Sequence, residues 1–175
     1  MGGPRHPRAA PEDPMEAARV AYVAGLRWLA GRELSTARVR ERLRERGYPD
    51  AIVTDTLRRL TGAGALDDRR AAHACARTLL LLKRRGRLRV LRELERMGFD
   101  AETARAAVSS VLEDQDERHL ADCAAAARLR GVRPPLGPAV RRRVFAALLR
   151  QGFAPSLIHE VLRGREADCD EPTDP

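Results

Sequence analysis

Arginine is the residue type whose placement in this sequence most strongly suggests a chemistry. Arg38, Arg40, Arg42, Arg44 and Arg46 take alternate positions of one segment. Arg84, Arg85, Arg87, Arg89 and Arg92 follow Lys83 with one acid, Glu93, nearby, and Arg141, Arg142 and Arg143 are consecutive. A guanidinium is always charged and presents its donors in a planar fork that matches phosphate or carboxylate. With a net charge of +8 over 175 residues, the chain is expected to seek a polyanion: nucleic acid, an acidic protein face or anionic lipid. That expectation rests on charge more than on arginine as such, because Lys83 is the only lysine and the bias runs through the whole composition. On a helix, Arg38, Arg42 and Arg46 share one face, where each like-charge pair costs about 0.2–0.5 kcal/mol, partly offset by Glu41 and Glu45. An ordinary solvated face would look the same. The acid-poor stretch from Arg84 to Arg92 favours binding most, and Arg141 and Arg142 are its counterparts later in the chain.

No residue set supports catalysis. Asp67 and Asp68 are adjacent carboxylates without a His, Glu or Asp at supporting spacing, and Gly-Ala-Leu-Asp-Asp before a helical pattern reads as a cap. His73 with Cys75 and His119 with Cys123 resemble zinc half-sites but lack a CxxC-type pair, and read as residues on apolar helix faces. His6 and His159 have no nucleophile to serve, and there is no glycine-rich phosphate loop. A non-enzyme without metal or cofactor is expected. Cys75, Cys123 and Cys169 are odd in number and scattered, which suits reduced thiols in a cytoplasmic protein. The first residues lack the apolar run of a secretory signal, and His6 breaks the myristoylation pattern that Gly2 begins. The apolar run ending at Leu82 is far too short to cross a bilayer, and no membrane partner is expected.

The elements that must carry these arginines are helices. Leu43 lies four residues before Gly47, Tyr48 follows it, and Ile52, Val53 and Leu57 come next. Leu94, Gly98, Phe99, Ala104 and Val108 repeat the pattern, as do Leu148, Gly152, Phe153, Leu157, Ile158 and Leu162. Each reads as a helix, a left-handed glycine corner and a second helix. The corner glycines are 51 and 54 residues apart, a period typical of stacked helical modules. Ser35 reads as an N-cap, although Arg38 replaces the Glu of a capping box, and Asp67 caps a later helix. Inward stripes are expected at Ala18, Tyr22, Gly25/Leu26 and Leu29; at Ala71, Cys75, Thr78/Leu79 and Leu82; at Val90, Leu91, Leu94 and Met97; and at Leu120, Ala124 and Ala127. Aromatics are scarce and β-formers sparse, so the expected class is all-α. The organisation is a disordered segment 1–14, three tandem three-helix repeats at 15–66, 67–114 and 115–165, and a disordered acidic tail 166–175. A unit of this size is marginal alone and needs its neighbours for burial.

Leu29-Ala-Gly-Arg32-Glu-Leu-Ser35, followed by Val39, Leu43 and Gly47-Tyr48, is similar to the opening Arg–Ser–Glu-Leu–Leu–Gly-Tyr segment of the RecX family, regulators of the bacterial RecA recombinase. Leu60 through Leu66-Asp67-Asp68 resembles that family's Leu–Gly–Leu-Asp-Asp junction, and Gly86, Leu94 and Gly98 match its second unit. The chain departs from the pattern at Arg38 and at Ala71, where the family has Glu and Phe, and the third unit shares corner spacing but little else. The resemblance covers about Ala18 to Arg163. It implies a curved, elongated array of three-helix units lying in the groove of the RecA–DNA filament. There it would dampen ATP hydrolysis, strand exchange and coprotease activity, with the RecA filament as partner, single- or double-stranded DNA as a further one, and a monomeric chain. The rival reading is a basic helix-turn-helix-like DNA-binding protein, against which three equivalent corners argue, since a reader needs one dedicated helix.

Overall fold

The computed structural model describes residues 11, 13–113, 115–132 and 135–167. Most of the expected disordered start and the tail from 168 lie outside these residues. Among them the chain is all-helical: α1 (Pro14–Gly31), α2 (Thr36–Glu45), α3 (Asp50–Gly62), α4 (Asp68–Arg77), α5 (Arg87–Arg96), α6 (Ala101–Glu113), α7 (Glu117–Arg128), α8 (Pro138–Gln151) and α9 (Pro155–Ala167). A π-turn, Thr78–Leu82, extends α4. Order begins slightly earlier than expected, because the Asp13 carboxylate accepts from the backbone N–H groups of Met15 and Glu16 and Pro14 fits the first helical turn. It also continues to Ala167, two residues into the expected tail.

Helix packing is concentrated within the trios α1–α3, α4–α6 and α7–α9. In the first trio, α1 lies so close to α3 that a Cβ on Gly25 would stand 2.6 Å from Leu60 Cδ1. The α3 stripe is as expected, with Val53, Thr56, Leu57 and Leu60 buried. Elsewhere the inward face is rotated by a residue. In α1 the buried positions are Ala17, Ala21 and Gly25, and Leu26 is exposed. In α7, Ala121 and Ala125 join Leu120 and Ala124 in the core while Ala127 faces out. Alanine permits this, since small residues let backbones approach and a whole face of them is interchangeable. The largest slip is in α4. Ala71 and Leu79 are buried as expected, together with Ala72, Ala76 and Leu80, whereas Cys75 is half-buried and Thr78 and Leu82 are exposed, Leu82 by 79%. The exposure of Leu82 follows from the π-turn, closed by Lys83 N–H on Thr78 C=O at 3.1 Å. A five-residue hydrogen-bonded step advances the phase of the helix and carries Leu82 off the inward stripe. Met97, at the end of α5, is also exposed rather than inward.

The three corners share one geometry. Tyr48, Phe99 and Phe153 each donate a backbone N–H to the carbonyl five residues earlier, Leu43, Leu94 and Leu148, at 3.2 Å. Gly47, Gly98 and Gly152 have φ of 78°, 88° and 93°. This is the helix stop in which a left-handed residue lets two N–H groups satisfy the last carbonyls.

Corners two and three each receive the start of the middle helix of the preceding trio. Ser35 Oγ accepts from Arg38 N–H at 3.2 Å and donates to Met97 C=O at 2.6 Å, and a Cβ on Gly98 would stand 2.8 Å from that oxygen. At corner three, Gly86 and Leu88 donate their N–H groups to Gln151 C=O and Gly152 C=O at 2.9 and 3.1 Å. A Cβ on Gly86 would lie 2.3 Å from Phe153 N, and one on Gly152 would lie 2.3 Å from Arg89 Cβ. Both residues are glycine because backbone meets backbone there. Gly47, by contrast, has nothing within 4 Å of its Cβ position among the described residues. Gly47→Ala should therefore cost only the left-handed penalty, about 1–2 kcal/mol, whereas Gly152→Ala adds a backbone clash and should cost roughly 3 kcal/mol or more. Urea midpoints of the two variants, measured side by side, check this ranking.

Candidate partner-binding surface

The structure divides the candidate arginines by what already holds them. In α2, Val39 and Leu43 face inward, Arg42 and Arg46 lie half-buried beside that stripe, and Arg38 is exposed. Arg38 pairs with Glu41. The guanidinium carbons of Arg42 and Arg46 lie 5.5 and 4.6 Å from the ring centroid of Trp28 on α1, so one indole carries two cations. Trp28, Arg42, Glu45 and Arg46 line an open depression. A third such contact, Arg59 over Tyr22 at 4.4 Å, lies between α3 and α1.

The Arg84–Arg92 cluster divides more sharply. Glu93, which looked like one acid among many cations, accepts from Arg89 Nε at 2.8 Å and pairs with Arg85. Its side chain is 17% exposed. Arg89 also donates through Nη1 to Arg150 C=O at 3.0 Å, on the corner that receives α5. Arg89 therefore joins α5 to the third trio, and Arg85 ties the segment before α5 to the same carboxylate. Burial works against the charge on Glu93, but the hydrogen bonds from Arg89 and Arg85 outweigh it and hold the carboxyl below its ordinary range. Arg85 stands where the other trios have Leu34 and Leu136, both buried, immediately before the helix N-cap. An ion pair fills the place of an apolar anchor.

The remaining arginines of this cluster are less committed. Arg87 Nη2 reaches Ser109 Oγ at 3.4 Å, and Arg92 Nε donates to Leu88 C=O at 3.0 Å within its own helix. Arg84 is exposed, makes no ion pair among the described residues, and has φ 49°, which costs a non-glycine residue about 1–2 kcal/mol. In α8, Arg142 and Arg143 are exposed and Arg141 is half-buried.

The cap residues do more than stop helices. Asp67 accepts from Arg70 N–H at 3.0 Å, as a cap. Asp68 reaches across to the first trio, accepting from Thr36 N–H at 2.7 Å and Thr36 Oγ1 at 3.0 Å. Neither aspartate meets a metal-site partner: no group of three His, Cys, Asp or Glu is placed to hold an ion among the described residues. The histidines expected on apolar faces are not there. His73 and His119 are exposed, because α4 and α7 bury their alanines instead, and His119 Nε2 sits 3.6 Å from half-buried Cys123 Sγ. No described helix is long and apolar enough to cross a membrane.

A family model described as "RecX, first three-helix domain" matches residues 21–60, which span Trp28, the arginines of α2 and the first corner. A "Regulatory protein RecX" from Mycolicibacterium smegmatis is 32% identical over 158 residues, covering 86% of this chain and 82% of its own. The chain belongs to the RecX family. Another regulatory protein RecX, from Thermobifida fusca, is 30% identical and covers 92% of this chain and 85% of its own. The crystal structure of RecX from Lactobacillus salivarius superposes with a TM-score of 0.75 at 17% identity, over 84% of this chain and 95% of that one. A second, "Crystal structure of regulatory protein RecX", gives 0.70 at 21%, covering 84% of this chain and 71% of that one. Membership thus extends through all three trios, including the third, whose sequence carries little beyond its corner.

Sequence reasoning missed Trp28 as part of the arginine face. The signal was present: the single tryptophan stands off the inward stripe of α1, where burial alone would not place it. It also missed that Glu93 takes two of the arginines. Replacing Glu93 with Gln should lower stability by roughly 1–3 kcal/mol at neutral pH, the range for hydrogen bonds to a charged group. Because the folded carboxyl titrates below the unfolded one, this contribution is full above the ordinary carboxylate range and disappears as pH falls through the folded value. Denaturation midpoints of wild type and Glu93→Gln should therefore converge in acid.

Proposed function

We propose that this chain regulates the RecA recombinase by lying in the groove of the RecA–DNA filament and dampening its ATP hydrolysis, strand exchange and coprotease activity. The observation that carries the reading is likeness to regulatory RecX proteins along nearly the whole chain, at 32% identity. The charge distribution agrees with it. After internal pairing, arginines remain available on separate trios: exposed Arg84 on the second, exposed Arg142 and Arg143 on the third, and half-buried Arg42 and Arg46 against Trp28 on the first. Such a spread suits a long polyanionic or acidic groove better than one compact site.

The helix-turn-helix alternative is poorly supported. The α3 start, at the one open corner, exposes Asp50, while Asp55 further along pairs with Arg58 and Arg59. Carboxylates at the leading end of a reading helix would oppose the phosphates. The later corners are covered by α2 and α5.

The test is a titration of the DNA-dependent ATPase of RecA from the same genome, at modest salt. Inhibition at near-stoichiometric protein is expected, and its absence would overturn the reading. A triple variant, Arg84→Ala, Arg142→Ala and Arg143→Ala, should keep its helicity and need roughly tenfold more protein for the same inhibition, since exposed charge contacts contribute about 0.2–1 kcal/mol each. An unchanged titration would remove these three from the binding surface.

A further inference from the structure

The two joints between trios are variants of one contact, and the chain carries an open half of it at each end of the array. Gly86, the buried N-cap of α5, donates its N–H to Gln151 C=O, and Leu88 donates to Gly152 C=O. Counting from the N-cap, Gly137 and Ala139 carry the corresponding N–H groups at the start of α8. All of Gly137, Pro138 and Ala139 are exposed. The helix does not need a glycine at 137 for its backbone, because φ is −58° there and nothing among the described residues lies within 4 Å of a Cβ. At the other end, Arg46 and Gly47 hold the carbonyls that correspond to those of Gln151 and Gly152, and Gly47 is exposed, with none of the described residues within 4 Å of its Cβ position. Across the corners, exposure follows coverage: Gly152 is buried, Gly98 half-buried and Gly47 exposed.

We propose that a second copy of this chain docks head to tail by this contact, with the start of α8 in one copy on the Gly47 corner of the next. Val140 then stands over Gly47 as Arg89 stands over Gly152, and Ala139 as Ala37 stands over Gly98. The contact is heterologous, so each copy keeps one open half at either end for a further copy. Within the chain the same joint is held by covalent linkage at high effective concentration. Between copies it is a handful of backbone hydrogen bonds and is weak, so dilute protein is monomeric. Arg44 is paired with Asp50 and Arg46 rests on Trp28, so the contact is one of backbone groups rather than of charges. Polyanion binding by the arginines weakens with added salt, a dependence that a contact of backbone groups does not share. The contact does not depend on what the arginines bind.

An amide nuclear magnetic resonance dilution series of the ¹⁵N-labelled protein, from millimolar to micromolar, reads it directly. Concentration-dependent shifts are expected at Arg46–Tyr48 and Gly137–Val140. Gly137→Trp, which the backbone there admits, should abolish both sets while leaving the rest of the spectrum unchanged. Ala139→Glu, also at an exposed position, serves if the first variant fails to fold. Absence of shifts in the wild type at millimolar concentration, shifts confined to other residues, or wild-type shifts in a folded variant would each overturn the proposal.

Discussion

The approach of a helix start to a glycine corner is the contact on which the arrangement of the trios depends. A helix leaves its first N–H groups without partners, and a corner in the left-handed conformation turns its carbonyls outward. Placing one against the other satisfies both, but only if no Cβ intervenes. At the third corner both sides are glycine, Gly86 and Gly152, and two backbones meet. At the second, Ser35 stands in for Gly86 and its hydroxyl replaces the backbone donor, reaching Met97 C=O. One geometry is thus built with two donors. The third middle helix, α8, is 14 residues long against 10 for α2 and α5, about one extra turn, which accounts for the longer spacing to the last corner.

The two joints nevertheless differ in what reinforces them. Between the second and third trios one apolar core runs continuously from Ala71 to Leu162, and the half-buried Glu93 with its two arginines lies beside it. The first trio has its own core, centred on Val39, Leu43, Val53 and Leu60. Its joint to the second is polar: Ser35 to Met97, Thr36 to Asp68, and a long Arg70–Glu33 pair at 3.9 Å. Hydrogen bonds of this kind contribute about 0.5–1.5 kcal/mol each because water can replace either partner. Apolar burial has no such substitute. The first joint therefore yields to a change of angle more readily than the second.

The corners were legible in the sequence because they depend on local chemistry, a glycine followed by an aromatic at a fixed distance from a leucine. Class and repeat followed from them. The inward faces were legible where bulky residues mark them, as in α3, and drifted by a residue where alanine makes several faces equivalent, as in α1 and α7. The π-turn was not legible, since Thr78-Leu-Leu-Leu-Leu82 is apolar all round and fits any phase. The roles of the arginines were the least legible. Glu93 lies eight residues from Arg85 and four from Arg89, and only the bend between α4 and α5 brings all three together. Trp28 meets Arg42 and Arg46 only because α1 and α2 both pack on α3.

A formal charge of +8 overstates what is available for a partner, because several cations are consumed internally. Arg85 and Arg89 replace an apolar anchor, Arg165 ties α9 to α7 through Asp122, and Arg42 and Arg46 rest on an indole. A guanidinium on an aromatic face keeps its edge donors free, so those last two remain usable for an anion while being held in place. The positive surface is then a set of fixed or exposed groups carried by separate trios, each worth little alone. An array whose corners set the spacing of such groups converts weak contacts into strong ones only against a partner of matching repeat. A regular helical filament meets that requirement, and an isolated short duplex does so far less well. The geometry of the corners, more than the number of arginines, is what such a regulator would use to tell the two apart.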